Sequence, residues 1–226
     1  MILYHGSQQI VELPTYGQGK FTNDYGQGFY CTESLELAKE WSCPVQKDGY
    51  ANKYELDMAS LSVLDLNGEE FNILNWLAIL LQNRTFSISK NKELALRGKT
   101  YIIENFLPDV SKCDIITGYR ADDKYFGFAK DFIEGGITVK QLSRAMRLGE
   151  LGDQDVLMSE KAFENIKFIG YERADGNIYY EKRMEREARA AKAFNDIHAE
   201  KVDLDEDLFI LDIIRGKVSG DDARLR

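Results

Sequence analysis

Three short segments of this 226-residue chain carry side chains that are suited to binding chemistry. His5, one of only two histidines, follows a short apolar run and precedes a glycine. Residues 14–28 form a loop with four glycines, which is typical of backbone that needs positive φ angles or close approach. Tyr30 follows this loop, and Gln154 opens a later apolar segment. These side chains offer hydrogen bonds and an aromatic face.

The cysteines form neither a metal-binding pattern nor a disulfide framework. Cys31, Cys43 and Cys113 are odd in number, widely spaced and without a C-x-x-C pair, so we expect small apolar side chains and no metal cofactor. A cysteine hydrolase that uses Cys31 or Cys43 with His5 is supported by composition alone.

The composition is that of a globular protein, with 44% hydrophobic and 12% aromatic residues. No apolar run is long enough to cross a bilayer, and the first residues lack the pattern of a signal peptide, so we expect a cytoplasmic protein without a membrane partner. The formal charge of -9 argues against a broad nucleic-acid-binding surface.

The predicted strands and helices that must position these residues do not alternate as repeated βαβ units, and this order predicts an α+β fold. We expect strands at residues 2–4, 29–31, 50–56, 61–66, 113–119, 154–158 and 167–172, with 50–56 and 61–66 in one antiparallel unit. We expect helices at residues 32–41, capped by Thr32, and at 69–82, 92–106, 124–133, 139–148, 181–201 and 205–214, with a short one after Ser159. A dinucleotide-binding Rossmann fold is not predicted, because Gly26-Gln27-Gly28 precedes a strand and not a helix.

Three motifs resemble those of the ADP-ribosyltransferase superfamily, in its poly(ADP-ribose)-polymerase and diphtheria-toxin-like branch. They are Leu3-Tyr4-His5-Gly6-Ser7, then Gly26-Gln27-Gly28-Phe29-Tyr30-Cys31-Thr32, and then Gln154-Asp155-Val156-Leu157-Met158. A Gly-x-x-Ala-Asp-Asp segment at 118–123 resembles one found in uncharacterised bacterial domains of toxin–antitoxin-like operons. The likeness spans residues 1–172 as spaced short motifs.

The resemblance implies a split antiparallel β-sandwich with an NAD cleft and added helices. We expect this domain at residues 1–180, a helical extension packed on it at 181–226, and a frayed tail from 216. The implied activity is NAD-dependent mono-ADP-ribosyl transfer, a glycosyltransferase reaction with NAD as substrate and no metal. The acceptor is a macromolecule, and the acidic charge favours protein over nucleic acid. A neighbouring antitoxin or inhibitor protein is a further expected partner.

The resemblance also implies the roles of individual residues. His5 would bond the adenosine-side ribose, Gly6 the nicotinamide carboxamide, and Tyr30 would stack on the nicotinamide ring. Four further residues are expected at the NAD-binding cleft: Ser7, Gly28, Thr32 and Arg120.

Position 154 departs from the family pattern, in which a glutamate usually holds the nicotinamide-side ribose. Gln154 keeps the hydrogen-bonding shape without the charge, which disfavours chain-forming activity. A carboxylate from elsewhere could serve instead, and the candidates are Asp122, Asp123, Asp155 and Glu160. We expect Asp123 to take this catalytic role, because its polar corner lies between two apolar segments.

The same residues also have explanations that involve no function. His5 and Tyr30 could be packing residues of strands, Gln154 a polar strand opener, and Asp122 or Asp123 a helix cap. Exposed positions are expected for Arg84, His198 and the charged run 181–189. At the level of function, the alternatives are a catalytically silent module that binds NAD, another nucleotide or a protein, and an NAD glycohydrolase.

Overall fold

The structure is a computed structural model that describes residues 1–85, 87–121 and 123–225, with the backbone alone at positions 123 and 124. Seven strands are present in this part of the chain: β1 (Ile2–Ser7), β2 (Phe29–Cys31), β3 (Gly49–Leu56), β4 (Val63–Asp65), β5 (Ile115–Tyr119), β6 (Asp153–Leu157) and β7 (Ile166–Ala174). Helices fill most of the remaining chain, so the predicted α+β class is confirmed.

The strands form two separate sheets. One sheet has the order β1-β3-β7 and the other the order β2-β6-β5-β4. All pairs are antiparallel except β4 with β5, which run parallel. The sheets meet where Tyr4 of β1 and Thr32 after β2 exchange two backbone hydrogen bonds. The prediction that residues 50–56 and 61–66 pair was wrong, because β3 and β4 belong to different sheets.

Eight α-helices are present among the described residues and surround the sheets: α1 (Leu35–Ser42), α2 (Ile73–Asn83), α3 (Lys92–Phe106), α4 (Asp123–Ile133), α5 (Val139–Ala145), α6 (Glu160–Glu164), α7 (Gly176–His198) and α8 (Ile210–Gly216). Side-chain caps fix several of their first turns. Ser34, not the predicted Thr32, caps α1, and Ser159 caps α6 as expected. Thr138 and Gln141 form a capping box at the start of α5.

The main core lies between α2 and its neighbouring helices and extends onto the second sheet. Helix α2 is buried along almost its whole length, including Trp76 and Leu77, and packs against α3. A smaller apolar cluster, with Leu3, Cys31 and Leu157, fills the space where β1, β2 and β6 come together. Both sheets are therefore anchored on apolar packing close to their junction.

The C-terminal extension packs on the rest of the chain. Helix α7 begins at Gly176 and not at residue 181, and it buries Arg186, whose guanidinium donates to the carboxylate of Glu40 on α1. The prediction that the charged run 181–189 is an exposed face was therefore wrong for its inner side. The expected frayed tail is also not observed, because Val218 and Leu225 are buried in the main core.

Among the described residues, no helix has both the length and the apolar character that crossing a membrane requires.

Candidate functional site

A cleft of about 600 Å³ lies beside the junction of the two sheets. Its lining comes from both sheets, from the glycine-rich loop before β2, and from the segments that follow α2 and β5. The residues that matter for its chemistry are His5, Gly6, Asp24, Gly28, Tyr30, Trp41, Arg84, Arg120 and Gln154. Residues from all three motifs of the sequence analysis thus line one cavity.

His5 sits in β1 with its ring held by β2. Its Nδ1 lies 2.7 Å from the carbonyl oxygen of Tyr30, which can only accept, so Nδ1 carries the proton. Burial lowers the pKa of His5, against a smaller opposing effect of this hydrogen bond, which favours the neutral ring. Phe29 packs against the ring at a centroid distance of 4.4 Å. The neutral ring with a protonated Nδ1 leaves Nε2 as a hydrogen-bond acceptor.

Tyr30 is fixed through its hydroxyl group. The hydroxyl donates to the carbonyl oxygen of Gly26 at 2.7 Å and accepts from the amide of Tyr25 at 3.0 Å. Both bonds close the end of the glycine-rich loop onto β2. The hydroxyl is thus engaged with the protein, and Tyr30 is one of the residues that line the cleft.

Two glycines allow the backbone to pack closely at the cleft. A Cβ on Gly6 would overlap the carbonyl oxygen of Ala38 in α1. A Cβ on Gly28 would lie 2.6 Å from a methyl carbon of Val156 in β6. The absence of a side chain at Gly6 is therefore required by helix packing in addition to any approach of a ligand.

Gln154 and Asp24 form a buried polar pair at the cleft. Gln154 Nε2 donates to Asp24 Oδ2 at 3.3 Å and to the carbonyl oxygen of Tyr119 at 3.2 Å. Asp24 also accepts from Arg84 Nη1 and from the amide of Ala121, each at 2.9 Å. Burial raises the pKa of the Asp24 carboxyl, and its donors oppose this rise.

Asp24 was not predicted from the sequence, and Arg84 was predicted in a different environment. Asp24 is the one acidic residue that lines the cleft in the part of the chain that the structure describes. No local signal marks it, since its donors come from positions 84, 121 and 154. Arg84 was predicted to be exposed, but its side chain is 20% exposed because it pairs with Asp24 and lies over the ring of Phe126.

Arg120 and Trp41 line the cleft and contact each other. The guanidinium carbon of Arg120 lies 3.9 Å from the ring centre of Trp41, a cation–π arrangement. The indole Nε1 of Trp41 is buried, with no hydrogen-bond partner among the described residues. Arg120 therefore lines the cleft as expected from its motif, on a platform that sequence analysis did not assign to the site.

Two residues expected at the cleft do not line it. Ser7 accepts the amide of Gln9 at the end of β1, so its hydroxyl shapes a turn. Thr32 is buried and accepts the amide of Ser34 just before α1. Both hydroxyl groups are engaged locally, at the end of a strand or before a helix, and a role of the two residues in binding NAD stays a prediction.

The four carboxylates proposed to replace a glutamate at position 154 fall into two groups. Asp155 alternates with Gln154 along β6, bonds Thr117 and lies outside the cleft lining, as does Glu160 in α6. Asp122 lies outside the described residues, and at Asp123 the description covers the backbone, which begins α4. Asp24 is the carboxylate that the structure places beside Gln154.

Comparison with protein families gives one match, to the family described as "Protein of unknown function (DUF3990)", over residues 1–168. The match covers more than half of the chain, so the chain belongs to this family. It includes every cleft residue and ends within β7, so that α7 and α8 lie outside it. Comparisons with curated proteins and with solved structures give no match.

Proposed function

For this member of the DUF3990 family, we propose an NAD-dependent mono-ADP-ribosyltransferase that moves ADP-ribose to a macromolecular acceptor. One observation carries the proposal: His5, Tyr30 and Gln154, which lie in motifs far apart in the sequence, line the same cleft of about 600 Å³. A cavity of this size is in the range that binds small molecules and cofactors. The two separate sheets are compatible with the architecture that the motifs imply.

The reaction exchanges one bond at the anomeric carbon of the nicotinamide-side ribose. The bond from this carbon to the nicotinamide nitrogen breaks, and its electron pair leaves with neutral nicotinamide. A lone pair on the acceptor atom forms the new bond, and the acceptor proton passes to solvent. Catalysis then depends on orienting the ribose and on stabilising the positive charge that develops on it.

The backbone of β1 supports a role for Gly6 in this scheme. Tyr4 uses its amide and carbonyl toward Thr32, across the edge of the first sheet. Hydrogen-bonding directions alternate along an antiparallel strand, so the amide and carbonyl of Gly6 point the same way as those of Tyr4. Gly6 thus presents one donor and one acceptor on the cleft side of β1, which matches the needs of a carboxamide.

The neutral ring of His5 suits a hydrogen bond with a ribose hydroxyl, and the anchored ring of Tyr30 suits stacking on nicotinamide. Nε2 of His5 can accept a hydrogen bond from a ribose hydroxyl, while the Tyr30 carbonyl holds the ring orientation. The Tyr30 ring offers a flat face for stacking on nicotinamide, since its hydroxyl is engaged with Gly26 and Tyr25.

The direct test is nicotinamide release from NAD by the purified protein, with and without cell lysate. We expect release that increases with lysate and that falls at least about 100-fold in His5→Ala, since a small misplacement of bound substrate has an effect of this size. His198→Ala is the matched control, because this second histidine lies on α7 and pairs with Asp131 away from the cleft. An equal loss in both variants would contradict the assignment of His5.

A silent NAD-binding module is the second candidate, favoured by the neutral side chain at position 154. NAD would then raise the melting temperature, with no nicotinamide released under any condition. Release at an unchanged rate with and without lysate would instead identify an NAD glycohydrolase. The three outcomes are distinct in the same pair of measurements.

A further inference from the structure

We propose that Asp24 is a positioning residue that orients the amide of Gln154, so that its carbonyl oxygen faces the nicotinamide-side ribose of bound NAD, and that supplies the negative charge absent from position 154. This inference rests on the proposed function and names the carboxylate that such a site needs. Its basis is the contact between Gln154 Nε2 and Asp24 Oδ2, both of which belong to buried side chains.

The hydrogen bonds of Gln154 fix which way its amide points. Nε2 faces two groups that accept, the carboxylate of Asp24 and the carbonyl of Tyr119, and this uses both of its protons. The flipped amide would set Oε1 against these acceptors. Oε1 has no hydrogen-bond partner among the described residues, and Gln154 lines the cleft, so this oxygen is the group of Gln154 that is left for a ligand.

Asp24 itself is held in place by groups from three separate segments. Arg84 follows α2, Ala121 follows β5, and Gln154 lies in β6. Both carboxylate oxygens of Asp24 are engaged by these donors, and one of the donors is the amide of Gln154, so Asp24 is placed to act through Gln154. A carboxylate that accepts a hydrogen bond from the amide nitrogen increases the negative partial charge on the amide oxygen. That oxygen then becomes a stronger acceptor beside developing positive charge.

This arrangement explains why glutamine occupies a position where the family resemblance expects glutamate. A glutamate in the place of Gln154 would bring a second carboxylate within hydrogen-bonding distance of Asp24, in a buried site. Two carboxylates at such a distance cannot both ionise easily. The other titratable groups that act on Asp24 are Arg84, Arg120, Tyr25 and Tyr30, and the two arginines favour its charged form.

The arrangement is tested first without NAD, by melting temperatures between pH 5 and pH 8. We expect Gln154→Glu to lower the melting temperature, and the loss to grow toward pH 8 by about 5 °C as repulsion replaces a shared proton. In an Asp24→Asn background, which removes the facing carboxylate, the pH-dependent part of this loss should become clearly smaller, because only the burial of one glutamate is left to cause it. A pH-dependent loss of equal size in both backgrounds, or no pH dependence in either, would overturn the proposed contact.

The role of Asp24 is tested next by nicotinamide release. Asp24→Asn should lower kcat at least about 100-fold, with a smaller change in KM, as for removal of one oriented group at a charged transition state. Combined with Gln154→Ala, it should cause no further loss, because Asp24 acts through Gln154. Multiplicative losses in the double variant would show that Asp24 acts independently and would overturn the positioning role.

The readouts separate this inference from the proposed reaction. If the wild-type protein binds NAD without releasing nicotinamide, the proposed reaction is wrong. The NAD-induced rise in melting temperature is then measured for the same variants in place of kcat. Should Asp24→Asn fail to fold, Gln154→Glu alone can still overturn the contact, since its loss must grow with pH if Asp24 faces it. Release by wild type together with a pH-independent Gln154→Glu would leave the reaction standing and overturn the inference.

Discussion

Gln154 and Asp155 are neighbours on β6, yet their surroundings differ in kind. Gln154 faces the cleft as a neutral amide whose protons go to two acceptors, and the carboxylate beside it has three donors. Asp155 is also buried, and its donor among the described residues is the hydroxyl of Thr117 at 2.8 Å. Burial alone therefore does not identify the functional side of the strand, whereas the set of hydrogen-bond partners does.

The electrostatics of the two faces differ accordingly. Burial raises the pKa of Asp155 from 3.8 to about 6, and the acidic neighbours Glu33, Asp153 and Asp65 add to the rise. Asp24 is raised by burial as well, but Arg84 and the amide of Ala121 oppose this. At the cleft, hydrogen-bond donors and an arginine thus favour the charged form of the buried carboxylate of Asp24. On the other face, acidic neighbours disfavour the charged form of Asp155.

The largest expected effect separates the two neighbours by activity. Gln154→Ala removes the acceptor that we place at the ribose, and nicotinamide release should fall at least about 100-fold. Asp155→Asn, one residue away on the other face, should retain activity within about threefold, because Asp155 does not line the cleft. Initial rates of nicotinamide release at saturating NAD measure both, and a reversed order would refute the assignment of faces.

Asp155→Asn should instead change stability, with a pH dependence of fixed sign. A carboxyl with a pKa of about 6 in the folded state and 3.8 when unfolded binds more protons in the folded state between these values. Its contribution to stability is therefore full below pH 3.8 and is lost as the pH rises through 6. A shift of about two units corresponds to about 3 kcal/mol.

The pKa of about 6 already contains the opposing effect of the hydrogen bond from Thr117, and asparagine accepts this bond more weakly than a carboxylate does. We therefore expect Asp155→Asn to raise the free energy of unfolding by about 2 kcal/mol at pH 7.5, and by much less at pH 4.5. Urea denaturation at the two pH values measures the difference. A gain that is the same at both would show that Asp155 is not a strained carboxylate.

Sequence patterns could predict the parts of this fold that local chemistry decides. The helix Lys92–Phe106 has the predicted bounds, and Ser159 caps α6 as expected. Strand pairing could not be predicted, since β4 finds its partner β5 some fifty residues along the chain. The same reason hides Asp24 from sequence analysis, whereas His5 and Tyr30 lie in short motifs that can be read locally.

The smallest expected effect concerns Thr117, which lies directly opposite Asp155 in the antiparallel register of β5 and β6. Its hydroxyl lowers the pKa of Asp155, so Thr117→Val should raise that pKa further and reduce stability by about 1.5 kcal/mol at pH 7.5. At pH 4.5, where Asp155 is protonated in both variants, the loss should be smaller. In the Asp155→Asn background the pH dependence should disappear, because no titrating partner remains for the hydroxyl. If the loss of stability in Thr117→Val keeps its pH dependence in that background, the titrating group is another acidic residue of this face, Asp153 or Asp65. Asp155 would then no longer serve in the comparison with Gln154.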